Sequence, residues 1–258
     1  MSIYKFTKKV KYEIIVIDND SSDGSVEMVK KEFPKVKLIT NNKNLYFTKA
    51  NNQALEIAKG KYFLILNSDT YFINNSIEKM FDYMEKNKDT GACEGLELYE
   101  SRKTLNTGSK FSTPLIDFYE LSLIGSKIAN KRLINNYRIT DKDREDTFEI
   151  EVGCDAFLMV KTLIMKKIKG YDERLLLYYT ENDLCLRIKK LGFKIIHLGK
   201  AEVIHKVSAS VKKLNWKRID IYYQDLLHYY IKHGFIISGF LLFFFLKCEE
   251  TLLRIIKR

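Results

Sequence analysis

Apolar runs of strand length alternate with helical patterns through the first quarter of the chain. They follow one another in the order Tyr12–Ile17, Val26–Phe33, Val36–Ile39, Thr48–Lys59 and Tyr62–Leu66. The first, third and fifth are typical of strands, whereas the second and fourth have the spacing of helices. Short connections between such elements predict an α/β fold with a parallel, doubly wound sheet.

The last of these runs, Tyr62–Leu66, ends abruptly in Asn67, Ser68 and Asp69. An unpaired buried charge is costly, so a carboxylate at the end of a buried strand indicates a ligand-facing position. Asp18 follows the first run in the same way. Ligands bind beyond the carboxyl ends of the strands in these sheets, so we expect both aspartates at one site. A turn or helix cap is the alternative for Asp69.

The motifs that the sequence lacks restrict the class of nucleotide site. It contains neither the GxxxxGK[ST] phosphate loop nor the GxGxxG fingerprint. The sequence therefore supports neither a phosphate-loop NTPase nor a Rossmann dehydrogenase. A bound diphosphate would then need another cationic partner. A divalent metal on Asp69 would serve, because hard cations take carboxylate oxygens and bridge phosphates.

A second group of acids lies in Gly170–Arg187, which reads GYDERLLLYYTENDLCLR. Glu181 and Asp183 would stand at the start of a helix that continues to Lys190, where the helix dipole favours negative charge. Capping of that helix is one interpretation. General-base catalysis is the other interpretation for Glu181, since a carboxylate can take the proton of an attacking sugar hydroxyl.

Cysteine usage favours a reducing compartment. The four cysteines are scattered without the close pairs of structural zinc sites, and nothing at the N-terminus resembles an apolar signal segment. We therefore expect buried thiols in a cytoplasmic protein.

The net charge of +11 is concentrated in the last third of the sequence. Residues Leu186–Arg258 contain fifteen Lys or Arg against five Asp or Glu, which indicates an anionic partner. The apolar run Gly234–Leu246 (GFIISGFLLFFFL) is shorter than the roughly 17–25 residues that a membrane-spanning helix needs. We expect it to lie on an anionic membrane surface, with a core helix or a homodimer helix as alternatives. Nucleic acid is not the expected partner.

Four ordered segments carry a resemblance to a known family. VIDNDSSDGS, NKNLYFTKANNQALEIAKGKYFLILNSDT, VGCDAFLMVKTLIMKKIKGYDERLLLYYTENDLCLRIKKLGFKI and VIHKVSAS resemble the family 2 glycosyltransferases, in particular the rhamnosyltransferase-like branch, over about residues 10–210. The resemblance implies the A-type glycosyltransferase fold with a mostly parallel sheet, a nucleotide-diphosphate-sugar donor, Mn²⁺ or Mg²⁺, and inversion at the anomeric carbon.

The resemblance also implies a division of the chain. Residues 1–210 would form the catalytic domain, with the donor half at about 1–95 and the acceptor half at about 96–210. Residues 211–258 would form a basic and apolar helical extension. Family members have a strand and a helix ahead of the strand matched by Tyr12–Ile17. This sequence has only MSIYKFTKKVK there, so we expect the first strand and most of the first helix to be absent.

Site residues follow from the matched positions. Asp18 matches the acid that reaches the nucleotide base, and Asn67 with Asp69 matches an Asp-x-Asp-like element in which Asp69 is the metal ligand. Glu181 stands at the position of the catalytic base, and Asp183 is assigned to the same catalytic set. Thr180 takes the place where the family usually has a further acid.

The remaining matched positions lie on the donor side. His205 matches a histidine near the diphosphate or the metal, whereas a histidine after a strand-like run is otherwise structural. Asn44, Lys49 and Asn52 match polar positions that line the donor pocket, with capping of the helix near Thr48 as the alternative.

The function implied is transfer of a sugar to a glycan or lipid-linked saccharide acceptor by a peripheral protein on the cytoplasmic face of the membrane. Two alternatives stay open. A non-catalytic or degenerate glycosyltransferase-like subunit is one, and a sugar nucleotidyltransferase is the other.

Overall fold

The structure of the protein, a computed structural model, describes residues 2–206 and 217–256. The end of the VIHKVSAS segment and the predicted domain boundary at residues 210 and 211 lie outside the described residues.

Two sheets contain the strands of the described chain. The strands are β1 (Ile15–Asn19), β2 (Lys37–Asn41), β3 (Tyr62–Leu66), β4 (Thr70–Phe72), β5 (Thr90–Leu98), β6 (Thr147–Ile150), β7 (Phe157–Lys161) and β8 (Lys194–His205). β1 and β2 pair in parallel as a sheet of their own. The larger sheet has the order β3-β7-β5-β8-β4, and β6 also pairs with β8.

The α/β alternation predicted from the sequence is present, but the strand pairing differs in detail. β5 and β8 are parallel, whereas β7 runs antiparallel between β3 and β5, and β4 and β6 run antiparallel to β8. The first three strands do not pair in one continuous sheet, because β1 and β2 pair with each other and β3 pairs with β7. The partner of β3 lies far along the chain, where local periodicity cannot reveal it.

Helices cover both faces of the sheet and form the C-terminal region. They are α1 (Ser2–Phe6), α2 (Ser25–Glu32), α3 (Tyr46–Ile57), α4 (Ser76–Lys86), α5 (Pro114–Leu121), α6 (Leu123–Ile128), α7 (Lys131–Tyr137), α8 (Thr162–Lys167), α9 (Thr180–Lys190), α10 (Lys217–Lys232) and α11 (Ile236–Ile256). The helices predicted near α2, α3 and α9 are observed, with ends shifted by at most two residues.

The central strand β5 is buried at every position, because elements cover it on both faces and both edges. On one face α4 contributes Met80 and Met84 to a core that also contains Phe157. On the other face Leu55 of α3 and Leu184 of α9 belong to a second core. This packing fixes the strand ends at which the predicted site residues lie.

The C-terminal helices pack onto the segment that precedes α9. Leu175 and Tyr179 from that segment share a core cluster with Leu226 and Tyr230 of α10 and Leu246 of α11. Asp225 of α10, which is fully buried, accepts hydrogen bonds of 2.9–3.1 Å from three consecutive backbone N–H groups, those of residues 176–178. Helix α10 is therefore part of the support for the start of α9.

The apolar run Gly234–Leu246 has some side chains in the protein core and others exposed. Leu242 and Leu246 are buried against α10, whereas Ile237, Leu241 and Phe244 are 78%, 66% and 61% exposed. Within the described residues, no helix has the length and apolar character needed to cross a membrane. The run is thus part core helix and part exposed apolar surface.

The contact made by Asp225 leads to a stability prediction. Asp225→Asn should lower the free energy of unfolding by about 2–3 kcal/mol, because an amide offers one weaker acceptor oxygen to three buried donors. Urea unfolding followed by circular dichroism measures the change. The matched control is Asp220→Asn on the same helix, where the side chain is 68% exposed and we expect little change. Equal stability of the two variants would contradict a supporting role for Asp225.

Candidate active site

The ends of β3 and β7 bring two polar segments together at one edge of the larger sheet. Leu66, the last residue of β3, pairs with Phe157, the first residue of β7. The backbone N–H of Asn67 then donates to the carbonyl of Ala156 at 3.0 Å. Asp155 consequently lies at the same edge as the Asn67–Asp69 segment that the sequence predicted.

At the ends of β5 and β8, His205 lies between two carboxylates. Its Nδ1 donates to Glu97 Oε2 at 2.6 Å, and its Nε2 lies 3.1 Å from Asp69 Oδ1. The hydrogen bond to Glu97, against the effect of partial burial, raises the pKa of His205. The predicted proximity of Asp69 and His205 is therefore observed.

Glu97 was not predicted from the sequence. It lies in β5, is almost fully buried, and its Oε1 has no hydrogen-bond partner among the described residues. Buried carboxylates without a complete set of partners are uncommon and mark functional positions. An acid inside a run as apolar as Thr90–Leu98 was the signal available in the sequence.

Asp69 and His205 fit a divalent metal. Neighbouring ligands of an octahedral ion with bonds of about 2.1 Å are separated by about 3 Å, which the 3.1 Å between Asp69 Oδ1 and His205 Nε2 matches. Oxygen and imidazole donors suit Mn²⁺, and such ions complete their shells with substrate phosphates and water. In residues 2–206 and 217–256, no three His, Cys, Asp or Glu side chains cluster as a metal site. Two protein ligands agree with an ion that is shared with a substrate.

The start of α9 places Glu181 beside a second carboxylate. Thr180 Oγ1 lies 2.9 Å from Asp155 Oδ2 and 3.0 Å from Glu181 Oε2, and the Tyr171 hydroxyl donates to Asp155 at 3.3 Å. Burial raises the pKa of Glu181. Burial and, after it, the charge of Glu181 raise the pKa of Asp155.

The proton of Thr180 determines how this pair of acids is charged. The Thr180 hydroxyl carries one proton, so it can donate a hydrogen bond to only one of the two carboxyl groups. The other carboxyl group can bond to Thr180 only as a donor, which requires its protonated form. With Asp155 protonated, Asp155 donates to Thr180 and Thr180 donates to ionised Glu181. This arrangement leaves Glu181 as a carboxylate that can take a proton. Asp155 was not predicted, and only its place in the apolar stretch GCDAFLMV marked it in the sequence.

Asp183 lies in a different environment from Glu181. It is fully buried and bonds to Arg187 at 2.7 Å, to Lys232 at 2.5 Å and to His233 at 2.9 Å. Although burial opposes ionisation, the hydrogen bond from His233 and the charges of Arg187 and Lys232 lower the pKa of Asp183 to about 2. We therefore replace its predicted catalytic role with anchoring of α9 to α10, because a saturated ion pair has no open side for substrate.

The predicted donor-side residues lie on β1 and α3. Asp18 is buried near the end of β1 and accepts a hydrogen bond from the Ser21 N–H at 3.1 Å. Lys49 is exposed, with Glu173 at 3.9 Å. Neither contact excludes a ligand, so the donor-binding roles of Asp18 and Lys49 stay predictions.

Two asparagines of the donor side are engaged within the protein. Asn44 accepts a hydrogen bond of 2.8 Å from the N–H of Tyr46 at the beginning of α3. Asn52 accepts from the N–H of Tyr171 at 2.8 Å and donates to its carbonyl at 3.0 Å, which ties α3 to the segment before α9. Only the contact of Asn44 lies at the start of α3, as the capping alternative expects, and the donor-binding role of both asparagines stays a prediction.

Comparison with known proteins identifies the family. Residues 3–167 match the family described as glycosyl transferase family 2. An uncharacterized glycosyltransferase of Haemophilus influenzae is 30% identical over 234 residues, which are 81% of this chain and 72% of that protein. The N-acetylglucosaminyl-diphospho-decaprenol L-rhamnosyltransferase of Mycobacterium tuberculosis is 22% identical over 205 residues, 74% of this chain and 66% of that protein.

A solved structure shares the fold. The mannosyltransferase PcManGT of Pyrobaculum calidifontis, in complex with GDP-Man and Mn²⁺, superposes with a TM-score of 0.58 at 15% identity. The match covers 90% of this chain and 58% of that one. The chain thus spans only part of the length of its relatives. Its match to an uncharacterized glycosyltransferase of Methanocaldococcus jannaschii, 29% identical, covers 68% of this chain and 53% of that protein. The predicted A-type glycosyltransferase fold is confirmed, and the protein belongs to glycosyl transferase family 2.

Proposed function

We propose that the protein transfers a sugar, with inversion, from a nucleotide-diphosphate-sugar to a prenyl-diphosphate-linked saccharide. The observation that carries this proposal is the pair of acidic groups at one sheet edge. Asp69 with His205 suits a metal and a diphosphate, and Glu181 with Asp155 and Thr180 suits proton removal from an acceptor hydroxyl. Single displacement needs these two functions, one for the leaving group and one for the nucleophile.

Asp69 and His205 would hold the divalent metal, and Asn67 and Asp18 would contact the donor. When bound, the metal would offset negative charge on the departing nucleoside diphosphate. The imidazole of His205 is held in place by Glu97, which restricts the ring orientation. The complex of a relative with GDP-Man and Mn²⁺ supports this assignment.

Glu181 would take the proton of the attacking hydroxyl. Thr180 donates to its carboxylate and so orients it, while Asp155 keeps its own proton and adds no second negative charge. The raised pKa of Glu181 makes it a stronger base than an exposed glutamate once it is ionised. Asp155 is in this view a positioning residue.

The nature of the acceptor is supported by a relative and by the surface. The mycobacterial rhamnosyltransferase is named for a diphospho-decaprenol substrate. The exposed side chains of Ile237, Leu241 and Phe244 on α11 offer an apolar surface for a membrane or a prenyl chain. We therefore propose a peripheral position on an anionic, cytoplasmic membrane surface.

One assay separates this function from the alternatives. The protein is incubated with nucleotide sugars, Mn²⁺ or Mg²⁺ and a farnesyl-diphosphate-linked N-acetylglucosamine acceptor. Acceptor-dependent release of nucleoside diphosphate supports transfer. Exchange of pyrophosphate into the nucleotide sugar would indicate a nucleotidyltransferase, and the absence of both reactions would favour a non-catalytic subunit.

The first prediction of this mechanism concerns the base. Glu181→Gln should lower turnover by about 10²–10⁴-fold and leave donor affinity unchanged, because the amide keeps the size but cannot take a proton. Glu56→Gln, an exposed change on α3, is the control. In the unchanged protein, kcat/KM should fall as pH drops through the raised pKa of Glu181, above the value of about 4.3 for a free glutamate. Near-normal turnover in the glutamine variant would refute the assignment.

The second prediction concerns the charge on Asp155. Asp155→Asn should keep kcat within about threefold at neutral pH, because an amide mimics the protonated acid that donates to Thr180. Thr180→Val should lower kcat about tenfold, since Glu181 loses the hydrogen bond that orients it, and Thr180→Ser should restore most of it. A loss of 100-fold or more in Asp155→Asn would mean that Asp155 works as an ionised group.

The third prediction concerns the metal. Asp69→Asn should weaken Mn²⁺ binding in the presence of a nucleoside diphosphate by at least about tenfold, because a neutral amide replaces a charged oxygen ligand. Electron paramagnetic resonance of free Mn²⁺ measures binding without any need for turnover. Asp82→Asn on α4 is the control. Equal Mn²⁺ affinity in the two variants would show that Asp69 is not a ligand.

A further inference from the structure

A tyrosine-lined cleft lies between α10, α11 and the segment before α9. Its volume is about 310 Å³, and its lining includes Tyr178, Tyr222, Tyr223, Arg218, Leu121 and Leu246. This volume is at the lower end of the range of small-molecule sites. None of the residues proposed for the donor or the metal lines it.

The cleft is next to the proposed base. Tyr178 is three residues before Glu181, and its ring packs against that of Tyr222 at 4.7 Å between centroids. The Tyr222 hydroxyl is 2.9 Å from that of Tyr179, which directly precedes α9. A molecule in the cleft would therefore lie beside the start of α9, where Glu181 is held.

Arg218 gives the cleft a positive charge that is available to a ligand. No carboxylate of the described residues lies within ion-pair distance of it, and it is exposed at the beginning of α10. A second cation, Lys247, lies 4.3 Å from the centroid of the Tyr223 ring, although Asp220 and Glu250 share its charge at 3.4 and 3.3 Å. A guanidinium that has no ion pair within residues 2–206 and 217–256 is suited to bidentate binding of phosphate oxygens.

The surface next to the cleft is apolar. Leu121 lies at the end of α5, and the exposed Leu123 and Ile124 follow it at the start of α6. The backbone N–H groups of these two residues donate to Glu249 of α11, at 2.9 and 3.1 Å. These bonds hold the start of α6 against α11, three residues beyond Leu246.

We propose that this cleft binds the diphosphate and the first sugar of a prenyl-diphosphate-linked acceptor. Arg218 pairs with the diphosphate, the tyrosine rings pack against the apolar face of the sugar, and the prenyl chain lies on the apolar surface of α6 and α11. This inference rests on the proposed function and adds the acceptor subsite to it. One molecule with a polar sugar, two phosphates and an apolar tail matches the three parts of the surface.

The test measures acceptor binding by calorimetry on the full chain without donor. The probe is farnesyl-diphosphate-linked N-acetylglucosamine, and farnesyl diphosphate and free N-acetylglucosamine serve as partial probes. Arg218→Gln should raise the dissociation constant of both diphosphate probes about tenfold and Arg218→Glu should raise it further, whereas Arg218→Lys, which keeps the charge but not the planar fork, should raise it less than Arg218→Gln. Arg132→Gln on α7 is the matched control, and nucleoside diphosphate affinity should stay unchanged in all variants.

The outcomes distinguish this inference from the proposed function. Failure of the unchanged protein to bind the probe, or equal affinity in Arg218→Gln, overturns the acceptor cleft even if transfer is observed. Binding that depends on Arg218, in a protein that transfers no sugar, supports the cleft and contradicts the catalytic proposal. Where transfer occurs, Arg218→Gln should raise the acceptor KM about tenfold with little change in kcat.

Discussion

Buried carboxyl groups need hydrogen-bond or ion-pair partners, and the contacts that meet this need connect the elements around α9. Transfer of an ionised carboxyl group from water to an apolar interior is costly unless cations or N–H donors surround it. Asp225 has three backbone N–H donors, although burial still raises its pKa, whereas Asp183 has Arg187, Lys232 and His233. Both sets of contacts join α10 to the region of α9. The interactions that lower the cost of burying these two carboxyl groups therefore also hold the segment that carries Glu181 in place.

The acids at the sheet edge meet the requirement in another way, and their chemistry differs accordingly. Asp155 and Glu181 both contact the Thr180 hydroxyl, Asp155 also accepts from the Tyr171 hydroxyl, and the pKa values of both acids are raised. Asp183, only two residues from Glu181, has its pKa lowered by charged partners. The first turn of one helix thus holds one carboxyl group whose pKa is raised and one whose pKa is lowered. This difference supports the base role that we propose for Glu181.

The C-terminal helices have two distinct surfaces with different consequences. The buried side of α11, with Leu242 and Leu246, belongs to a core cluster that contains Tyr179. It therefore supports the residue that directly precedes α9. Its exposed side carries Ile237, Leu241 and Phe244 and is free to meet a lipid or a prenyl chain. The two surfaces of α11 thus adjoin the segment before α9 on one side and are open to an apolar partner on the other, which agrees with the acceptor cleft that we propose.

The sequence by itself determined the elements and some of the site. Local periodicity located the strands near Ile15–Asn19 and Tyr62–Leu66 and the helix of Glu181, and the family resemblance placed Asp69 and His205 near a common ligand. These features depend on neighbouring residues or on motif positions, both of which can be read along the chain.

Only the tertiary structure decided which acids have charged partners and how their pKa values are shifted. Asp183 meets Lys232, Glu97 meets His205, and Asp155 meets Thr180 across separations of 25 to 108 residues. The antiparallel pairing of β3 with β7, which brings Asp155 to the site, is equally distant along the chain. Charge and proton position depend on these contacts because burial and neighbouring groups set the pKa of a carboxyl group, and neither can be read from its place in the sequence.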